Sequence, residues 1–270
     1  MYDNVCKFLA ENFKDDFASW LLGDYVELTE LSPTELSLEP IRADSLILQQ
    51  SQDLVLHAEF QTEPDLNIPF RMIDYRLRVY RRFPDKRMLQ VVIYLRKTGS
   101  ELVQENSFQL EKTRHEFEII RLWEQPTERF LHNSGLLPFA VLSKTDDSTR
   151  TLNQVGQIVE KISEKRIQSN LTAATAILAG LVLKQDVIHK ILRRDIMRDS
   201  VIYQEILQEG EKIGEKIGEQ KGRKEGYLEG KLEVAINLLR GGITIEQVAK
   251  FTGFSQELLQ NLQTEINGNN

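Results

Sequence analysis

Apolar residues near the start of the chain recur at helical spacing: Val5, Phe8, Leu9 and Phe13, then Phe17, Trp20 and Leu21. This pattern predicts helix up to a stop near Gly23. Two β-like runs follow, "DSLILQQ" and "DLVLHAEFQ", separated only by a turn around Ser51 and Gln52, which predicts a hairpin. After the loop "TEPDLNIP" the segment "FRMIDYRLRVYRRF" returns to the helical period. The apolar run "MLQVVIYL" and then "HEFEIIRLWE" each predict a strand. Helix, hairpin, helix, strand, strand is an α/β order, and it occupies residues 1–145.

Residues 146–208 carry helical signals throughout and no cluster of reactive side chains, so they are expected to pack on the first region as an α-helical extension. In residues 209–232, Gly210, Gly214, Gly218, Gly222, Gly226 and Gly230 recur every fourth position. Each interior glycine costs a helix about 1 kcal/mol relative to alanine. Four residues advance the helix by about 400°, so the glycine track spirals round the axis and a straight partner meets only part of it. Two readings follow: a solvated linker helix, or a close-packed self-association helix making a homo-oligomer. Residues 233–270 predict a small tail module of three short helices. Thr244 and Gln247 form a capping box, Gly253 a stop and Ser255 a further cap. The last of these helices, "QELLQNLQTE", has no Arg or Lys with which to reach a base or phosphate, which favours a docking or oligomerisation module over a DNA-reading one.

Composition narrows the classes. A net charge of −7 over 270 residues argues against a generally basic nucleic-acid coat, so any such contact needs a local patch. Cys6 is the single cysteine, which excludes an internal disulfide and suits a reducing, cytoplasmic compartment. The start is acidic and amphipathic rather than signal-like, and "LTAATAILAGLVL" is too short to cross a bilayer, so no membrane association is expected.

The stretch "DLVLHAEFQTEPD" is the chemical focus. Side chains alternate along a strand, so Leu54, Leu56, Ala58 and Phe60 share one face while His57, Glu59 and Gln61 share the other. That polar face is either wet or a site. A tight turn at residues 51 and 52 would set Asp44 opposite Glu59. Two facing carboxylates repel unless a cation lies between them, and the pair plus the Phe60 carbonyl offers the oxygen ligands that Mg²⁺ or Mn²⁺ takes. Left without a cation they are two edge carboxylates in solvent. His57 reads as a packed polar group, or as a group that hydrogen-bonds Glu59 or approaches the substrate.

An aspartate at a strand entry, a hairpin, then Glu-x-Gln on the partner strand resembles the PD-(D/E)XK nuclease superfamily. The words "YDNVCKFL", "RADSLI", "HAEFQTEPD" and "PFRMIDYRLRVYRRFPDK" are similar to Rpn-type recombination-promoting nucleases and putative transposases, with a DUF4351-like helical tail. The resemblance spans most of residues 1–145. It implies a restriction-endonuclease-like α/β core, a mixed central sheet flanked by helices, with an all-α C-terminal extension. It also implies a Mg²⁺-dependent DNA endonuclease in which Asp44 and Glu59 bind metal and Gln61 replaces the superfamily lysine. An amide orients water by hydrogen bonds but brings no charge, so catalysis is expected to be slow or to lean on another cation. Asp3 is the helix-borne acid this resemblance suggests, with Glu11 and Asp15 as competitors.

Residues 71–87 carry Arg71, Arg76, Arg78, Arg81, Arg82, Lys86 and Arg87 against Asp74 and Asp85, a local charge of +5. Arg71, Tyr75, Arg78 and Arg82 fall on one helical face, which suits DNA phosphates; the plainer reading is a solvated arginine face. A function of another class stays open: a catalytically silent fold of this kind, acting as a binding or assembly protein through its glycine-repeat tail.

Overall fold

The computed structural model describes residues 2–24, 26–30, 46–192, 194–197 and 200–268. It divides into two compact units, residues 1–206 and 207–270.

The first unit is α/β. Helices α1 (Tyr2–Asn12) and α2 (Lys14–Leu22) are separated at Phe13, and α2 ends where Gly23 adopts a left-handed φ of 81°. Strands β1 (Thr29–Glu30), β2 (Leu46–Gln50), β3 (Leu54–Gln61), β4 (Arg87–Tyr94) and β7 (Glu118–Arg121) form one mixed sheet in the order β1-β2-β3-β4-β7. The pairs β1–β2 and β2–β3 are antiparallel; β3–β4 and β4–β7 are parallel. Helix α3 (Ile68–Arg82) makes the crossover from β3 to β4 that a parallel pair requires. It buries Ile68, Met72, Tyr75 and Val79 at helical spacing, and it ends at Phe83, where Pro84 disfavours further helix. Strands β5 (Ser107–Leu110) and β6 (Thr113–Glu116) form a separate hairpin.

Both faces of the sheet are covered. Ala58, Phe60, Val91 and Ile93 join α1, α2 and the buried 3-10 turn Ser134–Leu142 in the main core. Phe139 stacks on Phe60 with centroids 5.8 Å apart, and Phe17 meets both rings edge-on. Helices α4 (Glu128–Leu131), α5 (Ser148–Glu160), α6 (Lys165–Ala179) and α7 (Gln185–Ile191) follow, then the short α8 (Arg194–Met197). Leu152, Val155, Leu171, Leu178 and Ile188 belong to the same apolar cluster as the sheet, so the helical extension completes its core. The other sheet face, with Val92 and Tyr94, packs on Ile68 and Met72 of α3.

The hairpin differs from expectation in register. The Ser51 N–H donates to the Leu54 carbonyl at 2.8 Å, which puts the turn on Gln52 and Asp53 instead of Ser51 and Gln52. Lys86 Nζ braces it, donating to Gln50 Oε1 and to the Ser51 carbonyl, both at 2.7 Å. Moving a two-residue turn by one position moves the register by two, so Leu46, and not Asp44, stands opposite Glu59. The shift is even, so each side chain of β3 keeps its face.

Helix α9 (Val201–Arg240) enters the second unit, where α10 (Ile245–Thr252) and α11 (Gln256–Gly268) follow. The glycine repeat and the first of the expected short helices are one continuous helix, because no proline or left-handed residue interrupts it before Gly242, at φ 81°. Thr244 caps α10 by accepting from the Gln247 N–H at 3.4 Å, Gly253 closes it at φ 65°, and Ser255 accepts from the Leu258 N–H at 3.3 Å. Ala235, Leu239, Val248 and Leu259 form the core of this unit.

Candidate active site

The polar side of β3 is not wet. It lies under α3, with His57 at 0% and Glu59 at 2% relative exposure. The parallel register aligns His57 with Gln90 and Glu59 with Val92 on the same face, which places a second polar group beside the first. Edge carboxylates in solvent are therefore excluded for Glu59.

Arg71 projects from the first turns of α3 onto this face. Its Nη2 donates to Glu59 Oε2 at 3.0 Å, while its Nη1 lies 3.3 Å from Asp65 Oδ2. Asp65 also accepts from the Asn67 N–H at 2.9 Å and thereby fixes the chain entering α3. Gln61 Nε2 approaches Glu59 Oε2 at 3.4 Å, and His57 Nε2 stands 3.5 Å from Oε1. Burial alone would raise the Glu59 carboxyl; His57 and the Arg71 guanidinium beside it outweigh that and hold the group below the usual carboxylate range. Glu59 is thus a buried anion. With Asp65 it makes two carboxylates sharing one guanidinium, an excess of negative charge.

The network extends inward. Gln90 Nε2 donates to the Met72 carbonyl at 2.7 Å and lies 2.8 Å from His57 Nδ1. Gln90 Oε1 lies 2.8 Å from His115 Nε2, on β6. Tyr75 packs on the His57 ring with centroids 4.9 Å apart, and burial, then the Glu59 charge, push its hydroxyl far up, so it stays a neutral phenol. Burial lowers His115, helped by Arg76 and His57.

The remaining expected residues separate. Asp44 lies outside the described residues, and so does the side chain of Asp3, which falls on α1. Glu11 and Asp15 line a polar cleft with Asp16 and Glu27 at the α1–α2 junction, and none of the neighbours of Glu59 lines that cleft. The Phe60 side chain belongs to the core; its carbonyl is the next main-chain oxygen after Glu59. Tyr75 is buried against His57 and cannot face phosphate, which corrects the one-face stripe. Arg78 pairs with Asp74 at 2.9 Å, and Arg82 lies over the Phe83 ring. Arg71 and Arg78 are thus held by acids of the fold, while Arg81, Arg82 and Arg87 stay exposed.

Asp65, Gln90 and His115 had no role in the sequence reading. Gln90 left a signal there, as the polar interruption of the apolar run "MLQVVIYL". Nothing in the primary order brings His115 to it.

Among the described residues no group of three His, Cys, Asp or Glu side chains stands ready to hold a metal. The donor chemistry at Glu59 nevertheless fits one ligand of a hard cation, being an ionised carboxylate already matched to a positive group.

Fold and site define an α/β protein with a mixed five-stranded sheet, a buried acid on a central strand, and a helical C-terminal region. Compared with known proteins, the chain matches no family model, no curated protein and no solved structure. Among the described residues no helix is long and apolar enough to cross a membrane.

Proposed function

We propose that the protein is a metal-dependent DNA endonuclease of the PD-(D/E)XK type, with the Rpn-like features of its sequence. The observation that carries this reading is Glu59, an ionised carboxylate buried near the end of a hairpin strand, with Gln61 on the same face and a guanidinium on its oxygen. Glu59 and the Phe60 carbonyl would hold Mg²⁺ or Mn²⁺, with Asp44 taken as the second acid from the family resemblance and not from the hairpin register. The metal supplies Lewis acidity toward a phosphate oxygen and lowers the pKa of a bound water.

The chain's own residues do the rest. Gln61 orients a water by hydrogen bonds. Arg71, which touches Glu59 beside Gln61, brings the positive charge that the missing lysine would carry, so Gln61 and Arg71 divide that role. Arg81 and Arg82, both exposed at the end of α3, meet the DNA backbone. The protein works in the cytoplasm on this reading.

The purified chain should nick supercoiled DNA with Mg²⁺ or Mn²⁺, and Glu59→Ala should not. Equal nicking by Glu59→Ala, or none by the parent, ends the proposal. The long exposed helix α9 favours a second reading, a silent fold acting as an assembly protein and self-associating through its tail. Removing residues 207–270 separates the two, since nicking survives that deletion and assembly does not.

A further inference from the structure

Gln90 has one carbonyl oxygen and two N–H groups, and the three atoms it faces leave a single way to place them. The Met72 main-chain oxygen, 2.7 Å from Nε2, can only accept, so that end of the amide must be the NH₂. A flipped amide would press oxygen against oxygen there. The second N–H then points to His57 Nδ1 at 2.8 Å, and a nitrogen receiving a proton donor must present its lone pair. Gln90 Oε1 accepts at the other end, so His115 Nε2, 2.8 Å away, carries hydrogen. All of this is buried: Gln90 is 4% exposed and His57 fully enclosed.

We propose that Gln90 is a positioning residue that holds His57 in one tautomer, with Nδ1 as acceptor and the proton on Nε2 aimed at Glu59. The Met72 carbonyl orients the amide, the amide orients the imidazole, and the imidazole faces Glu59 Oε1 at 3.5 Å. Nε2 makes no hydrogen bond in the fold, and Glu59 Oε1, 3.5 Å away, is the carboxylate oxygen beside it. The lone pair of His57 Nδ1 is consequently taken by the Gln90 amide, and the ring turns its Nε2 edge toward the acid.

This holds whether or not the chain cleaves DNA. The test is a long-range ¹H–¹⁵N correlation on the full, metal-free chain with ¹⁵N-labelled histidine near neutral pH, with His57 assigned by the signal lost in His57→Gln. The wild-type spectrum should show an unprotonated Nδ1 and a protonated Nε2 for His57, and a protonated Nε2 for His115. A His57 protonated on Nδ1, or on both nitrogens, overturns the proposal without any variant. Gln90→Glu replaces the N–H donor by an acceptor, so His57 should shift to the Nδ1–H form; an unchanged tautomer in the folded variant overturns it equally. If Gln90→Glu does not fold, the wild-type spectrum decides. Absent nicking with the expected tautomer overturns the nuclease reading alone, and nicking with the wrong tautomer overturns this one alone.

Discussion

Arg71 Nη2 lies 3.0 Å from Glu59 Oε2, joining the first turns of α3 to the polar face of β3. Glu59 is almost wholly buried, whereas the Arg71 side chain keeps 36% of its surface. The pair therefore sits at the boundary of the core, where a carboxylate needs its partner more than the guanidinium does.

Removing one partner should cost more than removing both. Arg71→Met leaves Glu59 buried with only His57 and Gln61, and should destabilise by about 2–4 kcal/mol, below the fully buried limit because Arg71 is partly solvated. A double-mutant cycle with Glu59→Gln, read by chemical denaturation, should return a coupling of about 1–3 kcal/mol. A coupling near zero would mean that the ion pair holds nothing.

Acid should act through Glu59. Its carboxyl titrates below the ordinary value of 4.5 in the fold, so the unfolded chain takes up the proton first as pH falls. The stability this group contributes is present above pH 4.5 and is lost below it. Denaturation midpoints of the parent should drop more steeply there than those of Glu59→Gln.

His115 acts in a higher window. It is lowered from 6.5, so the fold resists its protonation and stability begins to fall as pH drops below 6.5, levelling once the folded group has titrated. His115→Gln should flatten this part of the profile without changing the steeper loss assigned to Glu59.

Glycines in the two units should respond oppositely to alanine. At Gly214, Gly218, Gly222, Gly226 and Gly230 a Cβ meets nothing within 4 Å, so each Gly→Ala should stabilise α9 by about 0.4–1 kcal/mol. A loss of stability instead would reveal a second helix against that face. At Gly135 a Cβ would lie 2.2 Å from the Phe13 Cβ and 2.9 Å from Asp16 Oδ2, the atom that accepts the Gly135 N–H. Gly135→Ala should destabilise the first unit by about 1–3 kcal/mol on thermal melting.

Periodicity by itself determined the helical opening, though not its break at Phe13, together with α3, the hairpin, β4, a strand within residues 115–124 that proved to be the shorter β7, and the caps at Thr244, Gly253 and Ser255, because these depend on neighbours a few residues apart. It also put His57, Glu59 and Gln61 on one face, since alternation is local and survives a register shift of two. Only the tertiary structure decided what that face meets. Ser51 and Lys86 set the turn one residue later, so Leu46 replaced Asp44 opposite Glu59; Tyr75 went inward; and Arg71, Asp65, Gln90 and His115 gathered round the acid from separate elements. No spacing rule reaches across such distances, because a buried charge chooses its partners by packing and desolvation, which act between elements after they have formed.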